Sequence, residues 1–333
     1  MKKYKAYGIG AALVDTEIKV VDAELEQMNV GKGLMTLVDE ARQRELLEHL
    51  AGHMVKASHA SGGSAGNSMI ATAQFGGPTF MSCKVSNDPD GDIYIADLEA
   101  AGVDHCFNGE RAAGTTGKCL VLITPDAERS MNTFLGISET LSTAELDAEA
   151  IAASEYVYLE GYLVTSPSGR AAAIKAREIA EASGVKTALS FSDPGMVEFF
   201  REGIAEMIGD RVDLIFCNED EALGWAQTKS LDVAVERLKT TADSFVITRG
   251  SKGALAFDGQ TLSEIPPHKV MAVDTNGAGD MFAGAFLYAI TRGEDFPTAG
   301  RFASLAAGKV VASYGPRLPA ADYPALRREF FGE

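Results

Sequence analysis

Apolar and polar positions alternate differently in the two halves of the chain. In the second half, short apolar runs at Tyr156–Leu159, Thr187–Phe191, Leu214–Cys217, Ser244–Thr248 and Ala254–Phe257 have the length and β-branched content of strands buried on both faces. Between them, Pro167–Ser183, Pro194–Ile208 and Leu231–Thr240 carry helical periodicity, and Asp193-Pro194 has the form of a helix start. Strands and helices in turn predict βα units around a central, mostly parallel sheet flanked by helices, an α/β fold. The first half is less regular. Segments near Glu17–Glu24 and Lys118–Thr124 are β-prone and separated by helical or turn-rich sequence, which predicts a small second sheet projecting from the core. No repeat, low-complexity tract or linker divides the chain, so residues 1–333 are expected to form one domain.

Composition narrows the function. With 46% hydrophobic and 23% charged residues among 333, disorder is excluded. The balance of 30 Lys+Arg against 47 Asp+Glu, formally −17, argues against nucleic acid and anionic membranes as partners. It leaves room for a phosphate held locally by a helix N-terminus. Cys83, Cys106, Cys119 and Cys217 form no CxxC pair, the first fifteen residues lack a signal-peptide apolar run, and no uninterrupted apolar stretch reaches membrane-spanning length. A cytoplasmic protein is expected. His49 and His53 have helical spacing, but no intervening HExxH glutamate and no third ligand accompany them, so they read as a helix face.

Three segments carry candidate chemistry. In Val273-Asp274-Thr275-Asn276-Gly277-Ala278-Gly279-Asp280, a glycine turn precedes the apolar run Met281–Ile290, which reads as a buried helix. The N–H groups of Gly277, Ala278 and Gly279 then converge at the positive end of a helix dipole, an anion hole. Asp280 beside it has two readings. It deprotonates an alcohol while the hole stabilises a transferring phosphoryl group, or it only caps the helix. Ser61 to Ser68 opens a second helix, Ser64–Phe75, where Gly62 and Gly63 permit close backbone approach and Asn67 offers a donor and an acceptor to vicinal hydroxyls; an ordinary loop-to-helix junction has the same form. Asn218-Glu219-Asp220-Glu221 follows an apolar strand, where hard oxygen ligands suit Mg²⁺, often through water, and where a capping Asn with first-turn acids is equally expected. Upstream, Gly8 to Asp15 follows a short strand and superficially has the form of a dinucleotide fingerprint. Leu13 at the third glycine position breaks that fingerprint and counts against a dinucleotide oxidoreductase, a third rival function, and Asp15 by itself reads as a solvated acid.

The run Asp274 to Asp280 resembles the DTxGAGD signature of the PfkB, or ribokinase-like, family of carbohydrate and nucleoside kinases, and further motifs match in family order from Gly8 to about Gly315. The resemblance implies a ribokinase-like fold with a small β lid, built here from segments near residues 15–30 and 105–135, and an ATP- and Mg²⁺-dependent kinase. It makes Asp280 the catalytic base and Gly277, Ala278 and Gly279 the anion hole. Asp274 falls in a loop that in several members binds a monovalent cation such as K⁺. Gly62, Gly63 and Asn67 would grip the sugar and Asp15 would accept from two ring hydroxyls. Asn218 and Glu221 match an NxxE motif that organises Mg²⁺ and phosphates. Thr248, Gly250 and Gly253 match an ATP-binding turn, for which a tight hairpin is the plain alternative, and Ser304 replaces an asparagine often found near the adenine.

Within the family, the chain looks like the adenosine kinase branch on three segments. These are Gly62-Gly63-Ser64 with Asn67-Ser68, Thr116-Gly117-Lys118-Cys119 with Arg129-Ser130, and Gly161-Tyr162. They imply Arg129 as a cation on the transferred phosphoryl and Tyr162 as an aromatic face for a purine, where a surface arginine and a core tyrosine are the plain readings. Ala11 departs from the asparagine usual in that branch. The expected activity is phosphorylation of the 5′-type hydroxyl of a nucleoside, adenosine to AMP first. A ribose, fructose or related furanose kinase is the alternative, and a non-catalytic nucleoside or sugar sensor is a second one. The expected partners are the small-molecule acceptor and ATP, with the chain a monomer or a homodimer paired through the lid.

Overall fold

The computed structural model describes residues 2–52, 60–107 and 111–332; His53 lies outside them. Among these residues fourteen strands occur: β1 (Tyr4–Ile9), β2 (Leu13–Lys19), β3 (Met35–Leu37), β4 (Ala60–Gly62), β5 (Thr79–Ser82), β6 (Val103–His105), β7 (Gly117–Ile123), β8 (Arg129–Phe134), β9 (Ser154–Glu160), β10 (Lys186–Ser190), β11 (Val212–Asn218), β12 (Ala242–Thr248), β13 (Ala254–Phe257) and β14 (Leu262–Ile265). Nine form one sheet in the order β14-β13-β12-β11-β10-β9-β1-β5-β6. All its pairings are parallel except β12–β13 and β13–β14. Helices cover both faces, which is why its central strands are apolar throughout rather than alternating. Met69, Phe75, Phe286 and Phe302 pack on one face, and Tyr7, Leu159, Phe191 and Phe245 on the other.

The expected βα units appear with their caps. Asp193 accepts a hydrogen bond from Gly195 N and precedes Pro194, and Ser166 accepts from Gly169 N and precedes Pro167. The segment Pro194–Ile208, expected as one helix, is two, Pro194–Phe199 and Arg201–Ile208, because Phe200 leaves helical geometry at φ −124°, ψ 23°.

Five strands form the second sheet, in the order β3-β8-β7-β2-β4. It lies earlier in the sequence than expected at its first strand. β2 begins at Leu13 and ends at Lys19, while Asp22–Gln27 is helical, since Asp22 and Glu24 suit a first helical turn better than a sheet. Gly8 belongs to β1 rather than following it, and the turn after Ile9 carries the chain from the large sheet into the small one. Strict alternation divides the small sheet. Ile18, Leu120 and Leu122 pack under the helices Asp22–Gln27 and Glu40–His49 through Leu25, Met28, Leu46 and Leu50. Leu13, Cys119, Val121 and Ile123 form the opposite apolar face, with Met131 and Leu135 against it. Among the described residues no helix is long and apolar enough to cross a membrane.

Candidate active site

A cavity of about 960 Å³ runs between the apolar face of the small sheet and the carboxyl ends of β9, β11 and β12. Open α/β sheets place ligands at this edge. The cavity wall contains every candidate catalytic, binding or metal residue named from the family motifs except Gly62 and Asp274.

Two helix starts meet at its floor. The helix Ala278–Thr291 begins after Gly277, whose φ of 70° requires glycine and whose added Cβ would sit 2.3 Å from Pro316 O. The expected cluster of three free amides is smaller than that. Ala278 N–H donates to Thr275 O at 3.3 Å, while the amides of Gly277 and Gly279 have no partner among the described residues. Asp280 does not cap its own helix. Its carboxylate accepts from Ser64 Oγ at 2.6 Å and from Asn67 Nδ2 at 3.0 Å, both on the facing helix Ser64–Gln74. Burial raises its pKa above the ordinary carboxylate range, and these two bonds and the Arg129 charge pull it part of the way back.

At the turn before the helix Ser64–Gln74, the glycines serve packing within the chain. A Cβ on Gly62 would lie 2.0 Å from Asp15 Oδ1, and one on Gly63, at φ 88°, would lie 2.2 Å from Ala11 O. They let the Asp15 carboxylate close over the chain. Asp15 is buried and its pKa is pushed up to about 7, by desolvation first and then by Glu17; Arg317 and Arg129 oppose the shift. Asn67, also buried, spends its amide N–H on Asp280, and its Oδ1 has no hydrogen-bond partner. An unpaired buried carbonyl is costly to the fold.

Across the cavity, Asn218 and Glu221 make a reciprocal capping box: Glu221 N donates to Asn218 Oδ1 at 2.8 Å and Asn218 N donates to Glu221 Oε2 at 2.9 Å. The capping alternative is therefore realised, and Glu221 still faces the cavity. Its burial pushes its pKa up to about 8. Arg129, from β8, is half-buried and its charge lowers the pKa of Asp15, Asp193, Glu221 and Asp280 alike. Its Nη1 lies 3.0 Å from Met131 Sδ, and no carboxylate pairs with it among the described residues. Thr248 to Gly253 is the β12–β13 hairpin, where a Cβ on Gly253 would strike Ile265 O, while Gly250, φ 53°, has open space beside it. Ser304 Oγ accepts from His268 N and donates to Pro266 O, which anchors the loop bearing Pro267 to Val270 along the cavity.

Asp274 lies behind this wall, fully buried, and its carboxylate accepts from Asn276 N at 2.9 Å and Gly315 N at 3.0 Å. Tyr162 lines the cavity, and its hydroxyl donates to Ser192 O at 3.3 Å. Among the described residues no group of three His, Cys, Asp or Glu side chains could hold a metal ion by itself.

Several cavity residues carried no role in the sequence reading. Glu160 ends β9 fully buried and accepts from Ala65 N at 2.8 Å and Ala11 N at 3.2 Å; desolvation pushes its pKa up to about 7. An acid closing an otherwise apolar strand was the available signal. Asp193 read only as a helix cap, and the apolar wall of Leu13, Met35, Leu37, Met131 and Leu135 comes from segments that tertiary folding alone brings together. The small sheet also touches the glycine turn, since Thr275 Oγ1 donates to Ala127 O at 3.1 Å and Asn276 Nδ2 to Glu17 Oε1 at 3.4 Å.

Comparison with known proteins agrees with this layout. The pattern of the pfkB family carbohydrate kinases matches residues 30–322. The adenosine kinase structure from Sinorhizobium meliloti superposes with a TM-score of 0.92 at 33% identity, covering 98% of this chain and 99% of that one. A probable sugar kinase from Rhizobium etli CFN 42 gives 0.93 at 31% identity, with 99% of each chain covered. The adenosine kinase of Schizophyllum commune is 28% identical over 327 residues, 89% of this chain and 91% of that protein. With its family pattern, its fold and a floor that joins free amides to a carboxylate, the chain belongs to the PfkB family and is an ATP-dependent kinase acting on a hydroxyl group.

Proposed function

We propose that the acceptor is a nucleoside, adenosine first, phosphorylated at its 5′-type hydroxyl. The observation that carries this is the mixed lining of the cavity: Asp15, Asn67 and Asp280 supply polar groups, and Leu13, Met35, Leu37, Met131 and Leu135 supply an apolar wall. A free pentose presents hydroxyls on every side and gains nothing from that wall. A nucleoside presents hydroxyls at one end and a flat apolar base at the other. Removing ~100 Å² of base surface from water would contribute about 2.5 kcal/mol.

In this reading Asp280 takes the hydroxyl proton as the acceptor oxygen bonds to the γ-phosphorus and the bond to the bridging oxygen breaks, releasing ADP. The amides of Gly277 and Gly279, with Arg129, stabilise the negative charge on the transferring group. Thr248, Gly250, Gly253 and Ser304 border the space for ATP. The hard oxygens of Glu221, Asn218 and Asp193 would help hold a Mg²⁺, which would supply positive charge to neutralise the triphosphate. Asp274, a buried carboxylate held by two amides and no cation, fits the monovalent-cation loop and a requirement for K⁺. The small sheet acts as a lid that excludes water. Its outer face is covered by helices of the same chain, which favours a monomer over pairing through that face.

A furanose kinase is the second reading, favoured by Ala11, which removes a polar contact, and by the likeness to the Rhizobium etli protein. An ATP-consumption screen over nucleosides, ribose and fructose at fixed Mg²⁺ decides between them. Turnover is expected with adenosine at a KM about 70-fold below that for ribose, the ratio that about 2.5 kcal/mol supplies. Turnover with fructose or ribose and none with any nucleoside would overturn the reading.

A further inference from the structure

We propose that Ser64 is a positioning residue for the base, setting the direction and basicity of the Asp280 carboxylate. The inference rests on the reading of Asp280 as the base.

Ser64 opens the helix Ser64–Gln74, and Asp280 lies in the first turn of the helix Ala278–Thr291. The distance between these two starts is set one turn deeper. Thr72 Oγ1 donates to Gly284 O at 2.9 Å, and a Cβ on Gly284 would lie 2.5 Å from Ser68 O, so the helices touch backbone to backbone. Glu160 holds the near end by accepting from Ala65 N at 2.8 Å. As an internal anion on that helix start, it also leaves the Gly277–Gly279 turn as the free amide site for phosphate. The Ser64 Oγ to Asp280 Oδ1 distance of 2.6 Å is thus imposed by rigid elements on both sides.

The chemistry of the donors suits a base. A lysine or arginine here would pin Asp280 in its ionised form and depress its basicity. A hydroxyl and an amide orient the carboxylate at smaller cost, and each carboxylate oxygen keeps a second lone pair for the acceptor. The Ser64 hydroxyl has a further property that the Asn67 amide lacks. Once Asp280 holds a proton, the serine can turn and accept from it, so the pair stays bonded through the transfer. Asn67, whose amide donates to Asp280 Oδ2, makes the second of the two bonds that hold the carboxylate.

The test is the pH dependence of turnover in S64A. The titratable groups facing Asp280 are Arg129 from the small sheet, Asp15 from β2, and Tyr158, Glu160 and Tyr162 on β9 and the turn after it; S64A leaves all of them in place. A hydrogen bond to a charged group is worth about one pKa unit or slightly more, so S64A should move the acid limb of kcat up by about one unit and lower kcat up to about tenfold at pH values below that limb. The KM for the acceptor should stay within about twofold. S64T, which keeps the hydroxyl, should restore the limb. A fall in kcat with an unmoved limb, or a limb that moves equally in S64T, overturns the proposal. D280N measured alongside separates the two ideas: an inactive D280N with an unmoved S64A limb removes only the role of Ser64, whereas an active D280N removes the base itself.

Discussion

Replacing Asp280 by Asn separates catalysis from stability. In the native arrangement the two carboxylate oxygens accept from Ser64 Oγ and Asn67 Nδ2. In D280N one carboxylate oxygen becomes an NH₂ group, which cannot accept. The neighbours absorb the change, because the Asn67 Oδ1 that now lacks a partner can accept from the new amide once the Asn67 side chain flips. Ser64 keeps the remaining carbonyl. The variant also removes a charge that the fold holds reluctantly. The Asp280 pKa is raised in the folded chain, so its contribution to stability is full below the unfolded-state pKa and is lost as pH rises through the folded value. At neutral pH the ionised carboxylate therefore costs stability that Asn does not. The expected result is a melting temperature at or above that of the parent, with kcat lower by at least the ~10²-fold that general-base catalysis supplies, about 2.7 kcal/mol of barrier. Coupled-enzyme detection of ADP with saturating adenosine, beside a thermal melt, reads both. Turnover within tenfold of the parent refutes the assignment. Loss of turnover with a melting temperature several degrees lower refutes the structural half of the argument.

Two further outcomes follow from the charges around the cavity. R129M keeps the apolar stem and removes the cation that opposes four carboxyl pKa shifts, so kcat should fall by about 10²–10³-fold, the cost of removing one transition-state donor; a loss under tenfold would show that Arg129 does not reach the phosphoryl group. In its proposed role as acceptor of substrate hydroxyls, Asp15, pushed up to about 7, is mainly charged only above that pH. The acceptor KM should therefore rise as pH falls through about 7, and D15N should give a high, pH-independent KM with kcat less affected; a parent KM that is flat between pH 6 and 8 contradicts this.

The large sheet was legible because its strands are buried on both faces and its helices carry caps. Leu214–Cys217 and Asp193-Pro194 announce themselves in one dimension. The glycine turn was legible for a similar reason, since Gly277 occupies a left-handed conformation that the sequence Asn276-Gly277-Ala278-Gly279 makes available. What the sequence hid are pairings between distant segments. Gly62 and Gly63 look like residues cleared for a ligand, but the atoms they clear space for are Asp15 and Ala11. Asp280 looks like a possible cap for its own helix, yet its partners lie more than two hundred residues earlier. Glu219–Glu221 could be read as cap or as cation site, and the structure makes Glu221 a cap that still faces the cavity. The small sheet blurred at its first strand because Val20 to Glu24 mixes strand and helix preference, and packing under Leu25 and Leu46 decides for a helix.

The formal charge of −17 makes a triphosphate site look improbable, and the cavity adds Asp15, Glu160, Asp193, Glu221 and Asp280. Burial resolves the conflict. Asp15 and Glu160 are pushed up to about 7 and Glu221 to about 8, and Asp193 and Asp280 are raised as well. Near neutrality, then, Asp15, Glu160 and Glu221 are partly protonated, and the field met by an incoming phosphate is weaker than a count of acids gives. The same desolvation that removes the repulsion makes Asp280 a stronger base than an exposed aspartate, because a carboxylate that is costly to bury takes up a proton readily. On the proposed reading, an acidic chain handles an anion and deprotonates an alcohol in one cavity, with Arg129 and two free amides supplying the positive pole and burial supplying the basicity.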